Sequence, residues 1–223
     1  MAMKIAIIGG SGALGAGLAK RWARAGHGIV IGSRDAGRAA EAAERLNAEA
    51  GSSKIIGLGN PDAAVAGEIV ALTVPYANQM PTLEAIKDGL QGKILIDVTV
   101  PLVPPKVRTV LVPEGGSCAK AAQDYLGNGV RVVSAFQNVA ATHLDDLDHA
   151  IKCDVLVCGN DPAAREEVVQ LAAQAHMKAW HAGVIDNSIV AEAFTSALIF
   201  INARYKIDGA GIRITGTPES VGD

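Results

Sequence analysis

Lys4-Ile5-Ala6-Ile7-Ile8-Gly9-Gly10-Ser11-Gly12-Ala13-Leu14-Gly15 stands at the head of the chain, and a second apolar run ends in Ile29-Val30-Ile31-Gly32-Ser33-Arg34. Short apolar runs bounded by glycine read as buried parallel strands. Gly10, Gly12 and Gly15 have G-x-G-x-x-G spacing, and the composition from Ala13 to Ala25 predicts a helix after them. Each glycine has an expected task. Gly10 allows a tight turn, Gly12 lets a pyrophosphate approach the backbone, and Gly15 lets the helix pack close to the strand. Ser11, Ala13 and Leu14 then lie where free N–H groups at a helix N-terminus face an anion. The glycines could serve a turn alone, but the order strand, glycine turn, helix favours a dinucleotide site.

The second run selects the cofactor. An Asp or Glu about 20 residues past the glycines would bind a ribose 2′-OH, whereas a cation there accommodates a 2′-phosphate. Ser33 and Arg34 occupy that point, and Arg38 follows one helical turn later. A hydroxyl and planar guanidinium groups suit a phosphate dianion, so NADP is expected over NAD. Two other readings stand beside this one. Arg34 and Arg38 could be solvated residues at a helix start, and Asp35 could reach a ribose hydroxyl.

Strand then alternates with helix along the chain. A helix is expected from about Asp35 to Ala50, strands at Lys54–Gly57 and Glu68–Tyr76, and a helix from Gln79 to Leu90 with Leu83, Ile86 and Leu90 on one face. Further strands are expected at Lys93–Asp97, Val130–Ala135 and Asp154–Cys158, with Ser117–Leu126 helical between the first two. Asp161 and Pro162 mark a capped helix start, and Lys178–Trp180 adds a last short strand. The alternation predicts an α/β fold, a Rossmann-type doubly wound parallel sheet with a small C-terminal helical extension. The division expected is 1–183 for the NADP-binding domain and 184–223 for a helix and tail. The helix, Asn187–Tyr205, carries Ile189, Val190, Ala193, Phe194, Ala197, Leu198 and Ile201, an apolar surface wide enough to need burial on the domain or on a second copy. A homodimer is expected. Gly209–Gly216 reads as strand-like, with glycines that permit close backbone approach.

Composition narrows the functional classes. The 223 residues are 49% hydrophobic and 19% charged, with a net charge of −3. That balance fits a soluble globular chain with a sizeable core and gives no attraction for nucleic acid. No membrane association and a cytoplasmic location are expected, since the chain opens on a strand rather than a signal segment. Cys118, Cys153 and Cys158 lack C-x-x-C spacing and read as buried free thiols of a reducing compartment, not as metal ligands. No metal is expected.

A reductase of carbonyl compounds needs an acid for the new alkoxide, and the chain offers none in a familiar place. Met80, Gly129 and Gly209 stand four positions after Tyr76, Tyr125 and Tyr205, where a partner Lys would be sought, and the C-terminal helix has only Lys206 near its end. His143 and His149 lie among Asp145, Asp146 and Asp148 in what reads as a solvated turn; His27 reads as structural, and His181 has no evident partner. The loops at the carboxyl edge of the sheet are instead apolar: Thr73-Val74-Pro75-Tyr76, Val100-Pro101-Leu102 and Asn138-Val139-Ala140-Ala141. Such an edge suits hydride transfer between two cofactors that bring their own chemistry, with positioning and water exclusion as the protein's part. No catalytic side chain is expected.

These blocks, with Ser134–Asn138, Asp154–Gly159 and Gly209–Gly216, resemble the NADPH-dependent coenzyme F420 reductases, also called F420-dependent NADP oxidoreductases, over nearly the whole chain. The resemblance implies reversible hydride transfer between C4 of the nicotinamide and C5 of the deazaflavin. By the same resemblance, Gly10, Ser11, Gly12, Ala13, Leu14 and Gly15 hold the NADP phosphates, and Ser33, Arg34 and Arg38 the 2′-phosphate. Thr73, Val74, Pro75, Tyr76 and Val100 lie at the nicotinamide end. The deazaflavin lies against Val100, Pro101, Leu102, the Asn138–Ala141 loop and the backbone near Ala210. Gln137, His181 and Ser196 depart from the family pattern. Coenzyme F420 is anionic at its phosphate and glutamate tail, for which Lys106, Arg204 and Arg213 are candidates. Two alternatives remain: an NADPH-dependent reductase of a flavin, imine or ferric iron, and an NADP-binding sensor without turnover.

Overall fold

The computed structural model describes residues 2–216. Eight strands form one sheet in the order β3-β2-β1-β4-β5-β6-β7-β8. The strands are β1 (Lys4–Ile8), β2 (Gly28–Ser33), β3 (Ile55–Gly59), β4 (Ile69–Leu72), β5 (Ile94–Asp97), β6 (Arg131–Ser134), β7 (Val155–Gly159) and β8 (Ala179–His181). The helices are α1 (Ala13–Arg24), α2 (Ala36–Ala50), α3 (Asn60–Ala66), α4 (Gln79–Ile86), α5 (Cys118–Leu126), α6 (Ala141–Asp145), α7 (Pro162–Gln174) and α8 (Ser188–Tyr205). The first six strands run parallel. Central strands such as β4 and β5 are buried on both faces, which is why β4 is an unbroken apolar run and β5 is apolar up to its last residue, Asp97.

Two apolar cores lie on the two faces of this sheet. One gathers Ile5, Ile7, Trp22, Leu46 and Phe136 under α1, α2 and α7; the other gathers Ile8, Leu72, Leu83, Leu95 and Leu126 under α3, α4 and α5. Local signals set the helix ends. Asp35 accepts the N–H of Arg38 at 3.1 Å and Gly51 closes α2 with φ of 60°, while Asp161 accepts the N–H of Ala164 at 2.7 Å ahead of Pro162. Among the described residues, no helix is long and apolar enough to cross a membrane.

The last two strands depart from the expected parallel arrangement. β7 is antiparallel to β6, with Ser134 opposite Cys158, and β8 then pairs parallel to β7. Between β6 and β7 the chain has only the short α6, so it turns back from the carboxyl edge instead of crossing to the other end of the sheet as a parallel strand requires. Gly209–Gly216 is not a strand either. It runs extended beside the start of β7, with the Asp154 N–H donating to the Ile212 carbonyl at 2.8 Å. The close approach expected of its glycines is present: a Cβ on Gly211 would stand 2.7 Å from Cys153 Cβ.

Of the two covers expected for α8, the domain supplies little. Its buried positions are Ser188, Ala191, Glu192, Ser196 and Leu198, so the small and polar residues face the domain. Of the apolar residues expected to need cover, only Leu198 is buried, while Val190 and Phe194 are 46% and 40% exposed.

The segment with His143 and His149 is also more ordered than a solvated turn. The guanidinium of Arg21, 3% exposed in the last turn of α1, donates to the carbonyls of His143, Leu144, Asp146, His149 and Ala175. Those carbonyls converge inward, and the two imidazole rings stack at 4.3 Å. His27 is buried between Met3 and Gln174, in keeping with a structural role. His181 does have a partner, Glu166 Oε2 at 2.9 Å. All three cysteines are buried free thiols, and burial pushes the Cys158 thiol up to about 11.

Candidate active site

A cleft of about 890 Å³ opens at the carboxyl edge of the sheet, where β1 and β4 diverge at a change in strand order. One end is lined by Gly9, Ser11, Gly12, Leu14, Gly32, Ser33, Arg34 and Asn60, and the middle by Thr73, Val74, Pro75 and Tyr76. The other end is lined by Val98, Val100, Leu102, Pro104 and Val107.

The glycines divide their work differently from expectation. The left-handed residue of the turn is Gly9, with φ of +81°, and not Gly10. Gly10 is required for space, since a Cβ there would stand 2.8 Å from Ile31 Cδ1 and from the Ile7 carbonyl. Gly15 packs as expected: a Cβ would lie 2.6 Å from Thr73 Oγ1, which itself donates to the Ile8 carbonyl at 2.9 Å. Above Gly12 the nearest atom is the Gly9 carbonyl at 3.4 Å, so the cradle over α1 is open. No side chain caps α1, and its first-turn amides are free for an acceptor from outside. These features fit a pyrophosphate.

At the end of β2, Arg34 is exposed and lines the cleft beside Ser33. Asp35 turns its carboxylate to the Arg38 amide as the cap of α2, and its own N–H donates to Ser33 Oγ at 3.3 Å. Arg38 is exposed one turn into α2 and outside the cleft wall. Sequence reasoning missed Asn60, whose 7% exposed side chain lines this end with Oδ1 unpartnered. Its signal was the Asn-Pro that opens α3.

The other expected residues divide between cleft and interior. Gly10 and Gly15 are buried behind the turn, Ala13 is exposed at the start of α1, and Pro101 is buried between Val100 and Leu102. Asn138 and Val139 are 3% and 6% exposed and do not line the cleft. The Asn138 amide is spent inside, donating to the Asp154 carbonyl at 2.8 Å and to Cys153 Sγ at 3.0 Å. Ala140, Ala141 and Ala210 are half-buried outside the cleft wall, and the Ala210 N–H donates to Asn202 Oδ1 at 2.7 Å.

Behind the apolar end lies a buried polar layer. Asp97, fully buried at the end of β5, accepts the Thr99 N–H at 2.9 Å and Gln79 Nε2 at 2.6 Å; burial pushes its carboxyl up. Gln137 donates to the Asp97 carbonyl at 2.9 Å and to Ser134 Oγ at 2.8 Å. α8 joins this layer through three contacts: Ser188 Oγ with Ser117 Oγ at 2.6 Å, Thr195 Oγ1 to the Gln137 carbonyl at 2.9 Å, and Glu192. The Glu192 carboxylate accepts the amides of Cys118 and Ala119 at 2.8 and 3.1 Å, holding the N-terminus of α5. Burial pushes its carboxyl up to about 7. Burial raises the Tyr76 hydroxyl as well, aided by Cys118 and Glu192, so Tyr76 faces the cleft as a neutral phenol. The sequence signal for this clamp was the polar set Ser188, Glu192 and Ser196 at four-residue spacing in an apolar helix.

Among the described residues that line the cleft there is no carboxylate, histidine or lysine. The arrangement can bind a dinucleotide at one end and hold an apolar ring face at the other. The Tyr76 phenol is the one protonated side chain of this kind among the described lining residues, and no lysine or histidine accompanies it there.

Comparison with known proteins agrees with this geometry. Residues 4–101 match the family model described as NADP oxidoreductase, coenzyme F420-dependent. An F420-dependent NADP reductase of Methanocaldococcus jannaschii is 43% identical over 96% of this chain and 98% of its own. One from Methanothermobacter thermautotrophicus is 41% identical over 98% of this chain and 97% of its own. A crystal structure from Arthrobacter sp. FB24, described as a candidate F420-dependent NADP-reductase, superposes with a TM-score of 0.82 at 26% identity, covering 96% of this chain and 100% of that one.

Proposed function

We propose, from the premise that the chain belongs to the F420-dependent NADP reductase family, that it catalyses reversible hydride transfer between NADP(H) and the deazaflavin coenzyme F420. The observation that carries this reading is the two-ended cleft. A glycine turn with Ser33 and Arg34 lies at one end, and Val98, Val100 and Leu102 at the other, with no carboxylate, histidine or lysine lining it among the described residues.

The first-turn amides of α1 and Ser11 take the pyrophosphate, and Ser33 and Arg34 take the 2′-phosphate, with Arg38 as a second charge. Val74, Pro75 and Tyr76 would bound the nicotinamide, and Val100 and Leu102 the deazaflavin, with the buried Pro101 fixing the loop between them. When both are bound, NADPH would supply a hydride from C4 and the deazaflavin would take it at C5, with a solvent proton at N1. The chain's contribution is to hold the rings in contact and to keep water from the apolar end, which raises the rate without a reacting side chain. The buried hydrogen bonds of Asp97, Gln137, Thr195 and Glu192 keep these walls in place. Residues 1–183 serve as the NADP-binding unit, and the described part of the second unit, residues 184–216, completes the second-cofactor end; residues 217–223 of that unit lie outside the described residues. The exposed Val190 and Phe194 of α8 support a homodimer built on that face. The buried free thiols support a cytoplasmic location.

Mixing the purified protein with NADPH and oxidised F420, with riboflavin and FMN as parallel acceptors, tests the reading. Loss of deazaflavin absorbance confined to F420 is expected. NADPH binding without F420 reduction would overturn it in favour of another acceptor or a sensor.

A further inference from the structure

Among the described residues, the longest stretch without regular structure is the loop from Val98 to Ser117, between β5 and α5. Its first half lines the cleft through Val98, Val100, Leu102, Pro104 and Val107. The two ends of the loop are pinned to each other. Gln79, 1% exposed, donates through Nε2 to Asp97 Oδ2 at 2.6 Å on one side and to the Cys118 carbonyl at 3.0 Å on the other. The Thr99 N–H donates to Asp97 Oδ1 at 2.9 Å, and the buried Ser117 caps α5 and meets Ser188 Oγ at 2.6 Å. Between these anchors the loop is untethered. Among the described residues, no hydrogen bond or ion pair joins residues 100–116 to another element, and the bonds present are local, as from the Lys106 N–H to the Val103 carbonyl and from the Thr109 N–H to the Lys106 carbonyl. Gly115 and Gly116 have φ of +89° and +100°, and a Cβ on either would meet nothing within 4 Å, so the backbone can turn there without striking a neighbour. Beyond Val107 the loop carries Val110, Leu111 and Val112, which are 47%, 42% and 54% exposed and lie off the cleft wall.

We propose that residues 103–116 form a lid over the apolar end of the cleft, with Val110, Leu111 and Val112 as the residues that cover the bound ring pair. The inference rests on the hydride-transfer reading above. A lid needs a firm base and a free body. The Gln79 clamp fixes where the loop starts and ends, and the glycine pair supplies a hinge. Three adjacent apolar side chains in water are unfavourable, and closure relieves this only where an apolar surface lies beneath them. An unfilled cleft of about 890 Å³ offers them no such contact and two stacked rings do, so the ligands favour the closed state over the open one. The reach is sufficient: Val110 lies three residues past Val107, which already stands on the cleft wall, and three extended residues span roughly 10 Å. Closure would complete the exclusion of water that the walls begin.

Hydrogen exchange read by mass spectrometry tests the lid in wild type and V110S/L111S/V112S, each alone, with NADP+, and with NADP+ and oxidised F420 together, a mixture that cannot turn over. The amides of Val107, Arg108, Val110, Leu111 and Val112 have no acceptor among the described residues, so fast exchange is expected without ligand. With both cosubstrates, exchange across 103–116 should slow about tenfold in wild type and less than about twofold in the variant. The variant's Tm should stay within about 2 °C of wild type, since the replaced side chains are at the surface, while its kcat for F420 reduction falls about tenfold. Unchanged exchange across 103–116 in a wild type that reduces F420 would overturn the lid and leave the hydride-transfer reading intact. Slow exchange there without ligand, slower still at higher protein concentration, would overturn it in favour of cover by a second copy. Failure of wild type to reduce F420, with no slowing across 103–116, would overturn both.

Discussion

Replacing Glu192 with Gln removes a pH dependence of stability that the wild-type fold carries. Burial lifts the Glu192 carboxyl from 4.5 to about 7, so the folded chain holds this proton over a pH range in which the unfolded chain has released it. Stability tied to this group is therefore fully present below pH 4.5 and is lost as pH rises towards 7. At 1.36 kcal/mol per pKa unit, the loss across that window is about 3 kcal/mol. For a chain of this length it corresponds to roughly 6–12 °C in Tm. The assay is thermal unfolding of wild type and E192Q between pH 4.5 and 8, followed by circular dichroism. The Tm of wild type relative to E192Q should fall by several degrees over the range, since every other titrating group is common to both. Parallel curves would refute the reasoning and mean that the amides of Cys118 and Ala119 compensate the buried charge fully.

Arg34→Ala should raise the KM for NADPH by about tenfold or more and change that for NADH little, because only NADPH carries the 2′-phosphate; equal effects in steady-state kinetics would remove the cofactor assignment. Arg21→Ala strips five carbonyls of their donor and should cost at least about 3 kcal/mol in urea unfolding, with the 143–149 segment losing protection in hydrogen exchange first. Phe194→Asp places a charge on the exposed apolar face of α8 and should convert a dimer to a monomer in light scattering after gel filtration, with unchanged far-ultraviolet circular dichroism.

The first half of the chain was legible because its signals are local. Apolar runs and glycine spacing depend on neighbours in sequence, and β1 through β5 follow from them, as does the capped start of α7 at Asp161 later in the chain. Arg34 beside Ser33 was legible for the same reason. The direction of β7 was not, because the stretch from 135 to 154 looks the same whether the chain crosses the sheet or turns back. Which face of α8 meets the domain was not legible either, because the apolar residues allowed cover by the domain or by a second copy, and it is the polar spacing of Ser188, Glu192 and Ser196 that packs inward. The convergence of Arg21 on distant carbonyls and the orphan oxygen of Asn60 are properties of the assembled fold.

The central claim is direct transfer of a hydride between two rings in one cleft. NADPH carrying deuterium at either face of C4 would be reacted in turn with F420 and the protein, and the reduced deazaflavin analysed by mass spectrometry. Deuterium from one of the two labelled forms should appear at C5, with none taken up there when unlabelled NADPH reacts in D2O. Reduced F420 whose C5 hydrogen comes from solvent would contradict the account, because the cleft would then pass electrons without bringing the rings into contact.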